Sequence, residues 1–99
     1  MQFDFDPGKD PTNLSKHGLS LAAAAELSWE AALVWLDGRA DYGEVRMVAL
    51  TPIGGILYFV AFVDRESTRR IISLRRANRR EVKHYAKAIK EDQPEDADT

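Results

Sequence analysis

The sequence predicts an α+β fold: an antiparallel sheet of four to five strands carrying an N-terminal helical pair and a C-terminal helix. Three observations support this. Ile56 to Val63 is apolar at every position, as a strand covered on both faces must be. Helix-start and helix-stop residues bracket the segments before Gly18 and after Asn78. Turn residues at Asp37-Gly38, Thr51 to Gly55 and Asp64 to Ser67 separate short β-rich runs closely enough for hairpins.

Taken in order, Gln2-Phe3-Asp4-Phe5 alternates as a strand with one buried face. Asp6 followed by Pro7 reads as an N-cap with proline at the first helical position. The helix it opens runs to His17, where Lys16 and His17 suit the negative helix end and Gly18 supplies the left-handed residue that stops it. A second helix opens at Leu19 with Ser20 as its cap and the Ala22 to Ala25 run as a smooth packing surface. Ala32 to Leu36 and Glu44 to Leu50 follow as strands, then the central strand, then Arg69 to Leu74 as its next antiparallel neighbour. Asn78 with Glu81 three residues on forms a capping box for the last helix. Val82, Tyr85, Ala86 and Ile89 fall at helical spacing there and are expected to form its buried stripe.

The 99 residues fit one domain over 1–92, with 93–99 as an acidic, disordered tail. Without cysteine there is neither a disulfide framework nor a thiolate metal site, and two isolated histidines argue further against a metal; no cofactor is expected. The acidic first twenty residues and the short apolar run at 56–63 give neither a secretion signal nor a membrane span, so a cytoplasmic location is expected.

Charge is distributed unevenly. From Arg65 to Lys90 ten Lys/Arg face only Glu66 and Glu81, an excess of eight positive charges in a chain whose net charge is −2. Six of those cations are arginines between Arg69 and Arg80, residues whose planar forks match phosphate geometry. The asymmetry points to a nucleic acid or an acidic partner. The alternative is a solvated strand edge followed by a wet helix face.

Four blocks together resemble the BrnT toxins. They are Phe3-Asp4-Phe5-Asp6-Pro7 with Lys9, Asn13 to Gly18, Gly43-Glu44-Val45-Arg46, and Arg70 to Ala77 with Glu81 and Tyr85 beyond it. The resemblance implies a RelE-like α+β ribonuclease, the toxin half of a bacterial type II toxin–antitoxin pair. It further implies RNA cleavage without a metal, inhibition of translation, and neutralisation by a ribbon-helix-helix antitoxin called BrnA. A 2:2 complex binding operator DNA through the antitoxin is expected on the same ground. Two departures stand out. Family members commonly carry a histidine before the Gly-Glu-x-Arg block, and Arg39 to Tyr42 has none; the acidic pair after Ser20 is replaced by Ala22 and Ala23.

Metal-free cleavage needs a base for the 2′-hydroxyl, cations for the phosphorane and an acid for the leaving 5′-oxygen. On a strand, Glu44 and Arg46 would share a face, setting a carboxylate that could be the base beside a guanidinium that could clamp the phosphate; the competing reading is an exposed ion pair at a hairpin edge. Strict alternation puts Arg70, Ile72, Leu74 and Arg76 on one face and Arg69, Ile71, Ser73 and Arg75 on the other. By family position Arg70 and Arg75 are the candidates for transition-state stabilisation; the neighbouring Arg76 and Arg79 are candidates for holding flanking phosphates. Asn13, Lys16 and His17 share a helix face, where Lys16 can bind substrate and His17 move a proton, unless both only stabilise the helix end. A non-catalytic nucleic-acid or protein-binding module, and a degenerate toxin retained for antitoxin binding, are the other functions these residues allow.

Overall fold

In chain order the computed structural model has β1 (Gln2–Phe5), α1 (Asp10–His17), two 3₁₀ segments (Leu21–Glu26 and Trp29–Ala31), β2 (Leu33–Leu36), β3 (Met47–Ile53), β4 (Ile56–Arg65), β5 (Thr68–Arg76) and α2 (Arg79–Asp92). The residues described are 1–39 and 43–92, so the acidic tail and positions 40–42 fall outside the account. One five-stranded sheet runs in the order β1-β5-β4-β3-β2. The expected uninterrupted run at 56–63 is the middle strand, and Phe59 through Val63 are all buried. Among the described residues no helix is long and apolar enough to cross a membrane.

The sheet is mixed, which corrects the all-antiparallel expectation: β1 lies parallel to β5, Gln2 opposite Thr68 and Phe5 opposite Ile71. No turn joins these strands, so no local residue set their relative direction. The expected helical pair is also corrected. Ser20 does cap, its hydroxyl accepting from the Ala22 N–H at 3.2 Å, but Leu21–Glu26 is a 3₁₀ turn. A 3₁₀ turn stacks side chains at every third position, and here that brings Leu21, Ala24 and Leu27 together into the core, all buried.

Boundaries moved where two signals competed. Asp6-Pro7 forms a turn, the Asp6 carboxylate accepting from the Gly8 N–H at 2.9 Å, and α1 starts at Asp10 with Pro11 in its first turn. It ends as expected at Gly18, whose φ of 72° is left-handed. β3 begins three residues later than expected and continues through Pro52 to Ile53; Gly54, at φ 58°, makes the turn into β4. Pro52 is tolerated because β2 pairing stops at Leu50. Its missing N–H falls on the open side, where its carbonyl takes the Ser28 N–H at 3.0 Å.

Each sheet face carries a core. On one, Leu21, Ala24, Leu27, Ala49, Val60, Phe62, Ile71 and Leu74 pack together, roofed by the 3₁₀ segments. On the other, Val48, Leu50, Phe59 and Ala61 pack with Trp35, Ile72 and Tyr85 of α2. The capping box forms reciprocally, the Glu81 N–H to Asn78 at 2.8 Å and the Asn78 N–H to Glu81 at 2.9 Å. The stripe on α2 is not buried as expected: Tyr85 is half-buried, while Val82 is 46% and Ile89 39% exposed.

Candidate active site

Strand alternation fails at one residue of β5, and that residue sets the site. Ser73 lies opposite Ala61 and Ile71 opposite Phe62, so Ile72 is an extra residue, a β-bulge. The slip moves every side chain before it to the other face. Arg70 therefore lies opposite Val63 and Arg75 opposite Phe59, both on the face that carries α2, in place of the opposite faces strict alternation gave them. Ser73 falls between them.

Arg69 goes to the other face, away from Arg70 and Arg75. Its guanidinium lies over Trp29 at 4.6 Å and Phe62 at 4.3 Å and forks onto Asp64 at 2.7 and 2.9 Å, sealing the first core. Arg70 contacts Asp4 at 3.2 Å and Arg65 contacts Glu44 at 3.0 Å. Three acids from outside the basic segment thus fold against it and reduce its excess of eight charges to five.

Arg75 is the most constrained member. Stacked on Phe59 at 4.1 Å, it forks onto Glu81 at 2.9 and 2.8 Å, which couples the end of β5 to the first turn of α2. Burial pushes the Glu81 carboxyl up, but the Arg75 hydrogen bond, the Asn78 N–H and the charges of Arg75 and Arg39 outweigh it. Its pKa is held below the ordinary 4.5. Asp37, read from sequence only as a turn residue, is buried and forks with Arg39 at 2.8 Å through both oxygens. Arg39 reaches the other side of the same cleft, 5.5 Å from the Phe59 centroid. Trp35, Val48, Phe59, Arg75 and Glu81 line this cleft of about 290 Å³.

A second cleft, about 390 Å³, opens where β1 ends and leaves the outer edge of β5 bare. Here α1 takes the place of a strand. The Asn13 amide accepts from the Leu74 N–H at 3.1 Å and donates to the Leu74 carbonyl at 2.9 Å and the Leu19 carbonyl at 2.8 Å. Pinned this way, α1 presents Lys16 and His17 to the cleft, joined by Lys9 just before the helix, and the cleft meets β5 at Ile72 and Ser73. The sequence put Asn13 on this face; that it is buried and bound to β5 has no local signal.

The remaining candidates are distributed differently. Glu44 and Arg46 both precede β3, so the shared strand face is not realised, and Glu44 is engaged by Arg65. Arg65 is six residues along β4 from Phe59, about 20 Å at the rise of a strand, so Glu44 and Arg75 serve opposite ends of the sheet. The Arg46 carbonyl takes the Asp37 N–H at 2.8 Å, and its Nε is shielded from solvent. Arg76 is exposed at the end of β5, and Arg79 lines a shallow basic depression with Asn78, Arg80 and Lys83. Among the described residues no three His, Cys, Asp or Glu side chains group so as to hold a metal ion.

The arrangement can bind a phosphodiester through cations on two elements and bring an imidazole to it. Compared with known families, residues 5–81 match the family described as ribonuclease toxin, BrnT, of type II toxin-antitoxin system. No curated protein matches the chain.

Proposed function

Because the chain belongs to the BrnT family of type II ribonuclease toxins, we propose that it cleaves RNA without a metal at the cleft between α1 and β5, and that this cleavage inhibits translation in the cytoplasm. The observation that carries the reading is the cleft in which Lys9, Lys16 and His17 meet β5 at Ile72 and Ser73, with Arg70 and Arg75 to either side along the strand on its α2 face. His17 takes the proton of the 2′-hydroxyl, whose oxygen attacks the adjacent phosphorus. As the new 2′-O–P bond forms, Arg70 and Arg75 stabilise the phosphorane charge. The P–O5′ bond breaks, and the Lys16 ammonium protonates the departing oxygen. The products are a 2′,3′-cyclic phosphate and a 5′-hydroxyl end. Arg76 and Arg79 hold flanking phosphates. Glu44, held by Arg65 away from Arg75, is assigned no step.

Purified protein in EDTA should cut single-stranded RNA and leave cyclic phosphate ends. His17→Asn and Arg70→Ala should each slow this on the order of 10²- to 10³-fold, the usual cost of a transition-state partner, with Arg80→Ala and Glu44→Gln nearly silent. Cleavage that needs added magnesium, or His17→Asn at the wild-type rate, defeats the mechanism.

One observation favours a non-catalytic module instead: Arg70 and Arg75 already have carboxylate partners in Asp4 and Glu81. RNA binding with no cleavage would establish it. In either reading the partner is an antitoxin of the BrnA ribbon-helix-helix kind, whose dimer assembles a 2:2 complex that covers the arginine face and contacts operator DNA.

A further inference from the structure

The second helix is amphipathic but does not lie down on the sheet. It is fastened near its middle, where the Tyr85 hydroxyl donates to the Ala31 carbonyl at 2.6 Å and the His84 ring meets Trp35 edge-on at 5.7 Å. On either side of that fastening Val82 and Ile89 remain exposed. Branched apolar side chains at this spacing on a helix match the face of a second helix. Here no element of the described chain supplies one.

The charges around the stripe select what can. Between Arg79 and Lys90 the helix carries Arg79, Arg80, Lys83, Lys87 and Lys90, and its one acid in that span, Glu81, is engaged by Arg75. Over the whole helix five cations stand against three acids, Glu81, Glu91 and Asp92, an excess of two, so stacking α2 on α2 of a second copy would set like net charge against like and the surface disfavours its own kind. An acidic amphipathic helix meets both requirements, apolar side chains against Val82 and Ile89 and carboxylates along the lysine rows.

We propose that this face of α2 is the anchoring surface for an acidic amphipathic helix of the antitoxin, an inference that rests on the toxin–antitoxin reading. With 14 residues at 1.5 Å each, α2 offers about 21 Å, room for an occupant of about four turns. The start of α2 adjoins Arg75 and Arg76, so a partner anchored here reaches the arginine face without a long linker. The stripe supplies affinity and the arginine face supplies neutralisation.

The test uses the full chain and its co-expressed antitoxin, comparing wild type with Val82→Glu/Ile89→Glu and with Lys83→Glu/Lys87→Glu. The apolar pair should weaken the complex by about 30-fold or more per residue, the scale of an interface anchor, and the lysine pair should weaken it chiefly at low salt. The free Val82→Glu/Ile89→Glu chain should keep its melting temperature and its RNA cleavage while escaping inhibition. Wild-type affinity in that variant overturns the proposal. So does a melting temperature lowered as by a core substitution, which would mean the stripe packs within the chain. So does a wild-type dimer that the variant dissociates, which would make a second copy the occupant. An unaltered chain that cuts no RNA defeats the active-site assignment alone, since affinity is read independently of cleavage.

Discussion

Arg75 is asked to do two things that compete. As a strut it holds Glu81 and stacks on Phe59; as a catalyst it must turn its charge toward a phosphate. A carboxylate hydrogen-bonded this well resists protonation, and linkage turns that into stability. The Glu81 pKa is lowered on folding, so its contribution is complete above about 4.5 and is lost as pH falls through the folded value. Glu81→Gln should cost about 1–2 kcal/mol near pH 7 in urea unfolding, through the cap and the charged pair, and the gap to wild type should narrow as pH falls below 4.5. A gap that persists unchanged into acid would show that packing, and not the carboxylate charge, stabilises this corner. The sequence showed Glu81 as half of a capping box; its second bond, to Arg75, needed the strand and helix ends brought together.

At the scale of elements, the candidate site depends on how α1 meets β5. The bulge at Ile72 places Arg70 and Arg75 on one face, and the Asn13 amide stands in for the missing strand beyond β1. Asn13→Ala leaves the Leu74 N–H and carbonyl without a protein partner at a buried edge. It should destabilise the chain by about 2–3 kcal/mol and speed hydrogen exchange at the Leu74 amide more than at the amides of β4. Protection of Leu74 unchanged from wild type would mean another group satisfies that edge. Both features were hidden in the sequence for one reason. A bulge and an amide bridge are answers to a neighbouring strand, and alternation within β5 alone gives no sign of either.

For the whole molecule, what RNA meets is the charge left after folding. Counting ten Lys/Arg in the basic segment overstates the surface, because Asp4 and Glu44 return to it from distant positions and Asp64, just before it, folds back onto Arg69. A footprint of about three to five phosphates predicts a slope of log affinity against log salt of about −2 to −3.5 for single-stranded RNA. A slope near −7 would mean that all ten cations engage and that the ion pairs open on binding. The sequence by itself determined the features that a few adjacent residues control. These are the buried middle strand, the left-handed stop at Gly18, the cap at Asn78 and Glu81, the turn at Gly54, and the blocks by which the family is recognised. Only the tertiary structure decided the parallel direction of β1, the face on which each arginine sits, which acids neutralise them, and the uncovered stripe of α2. Each of those depends on separate elements meeting in space, Asp4 with Arg70 from 66 positions away and Asp64 with Arg69 only across a turn, and burial and charge pairing are properties of that meeting, not of the local chain.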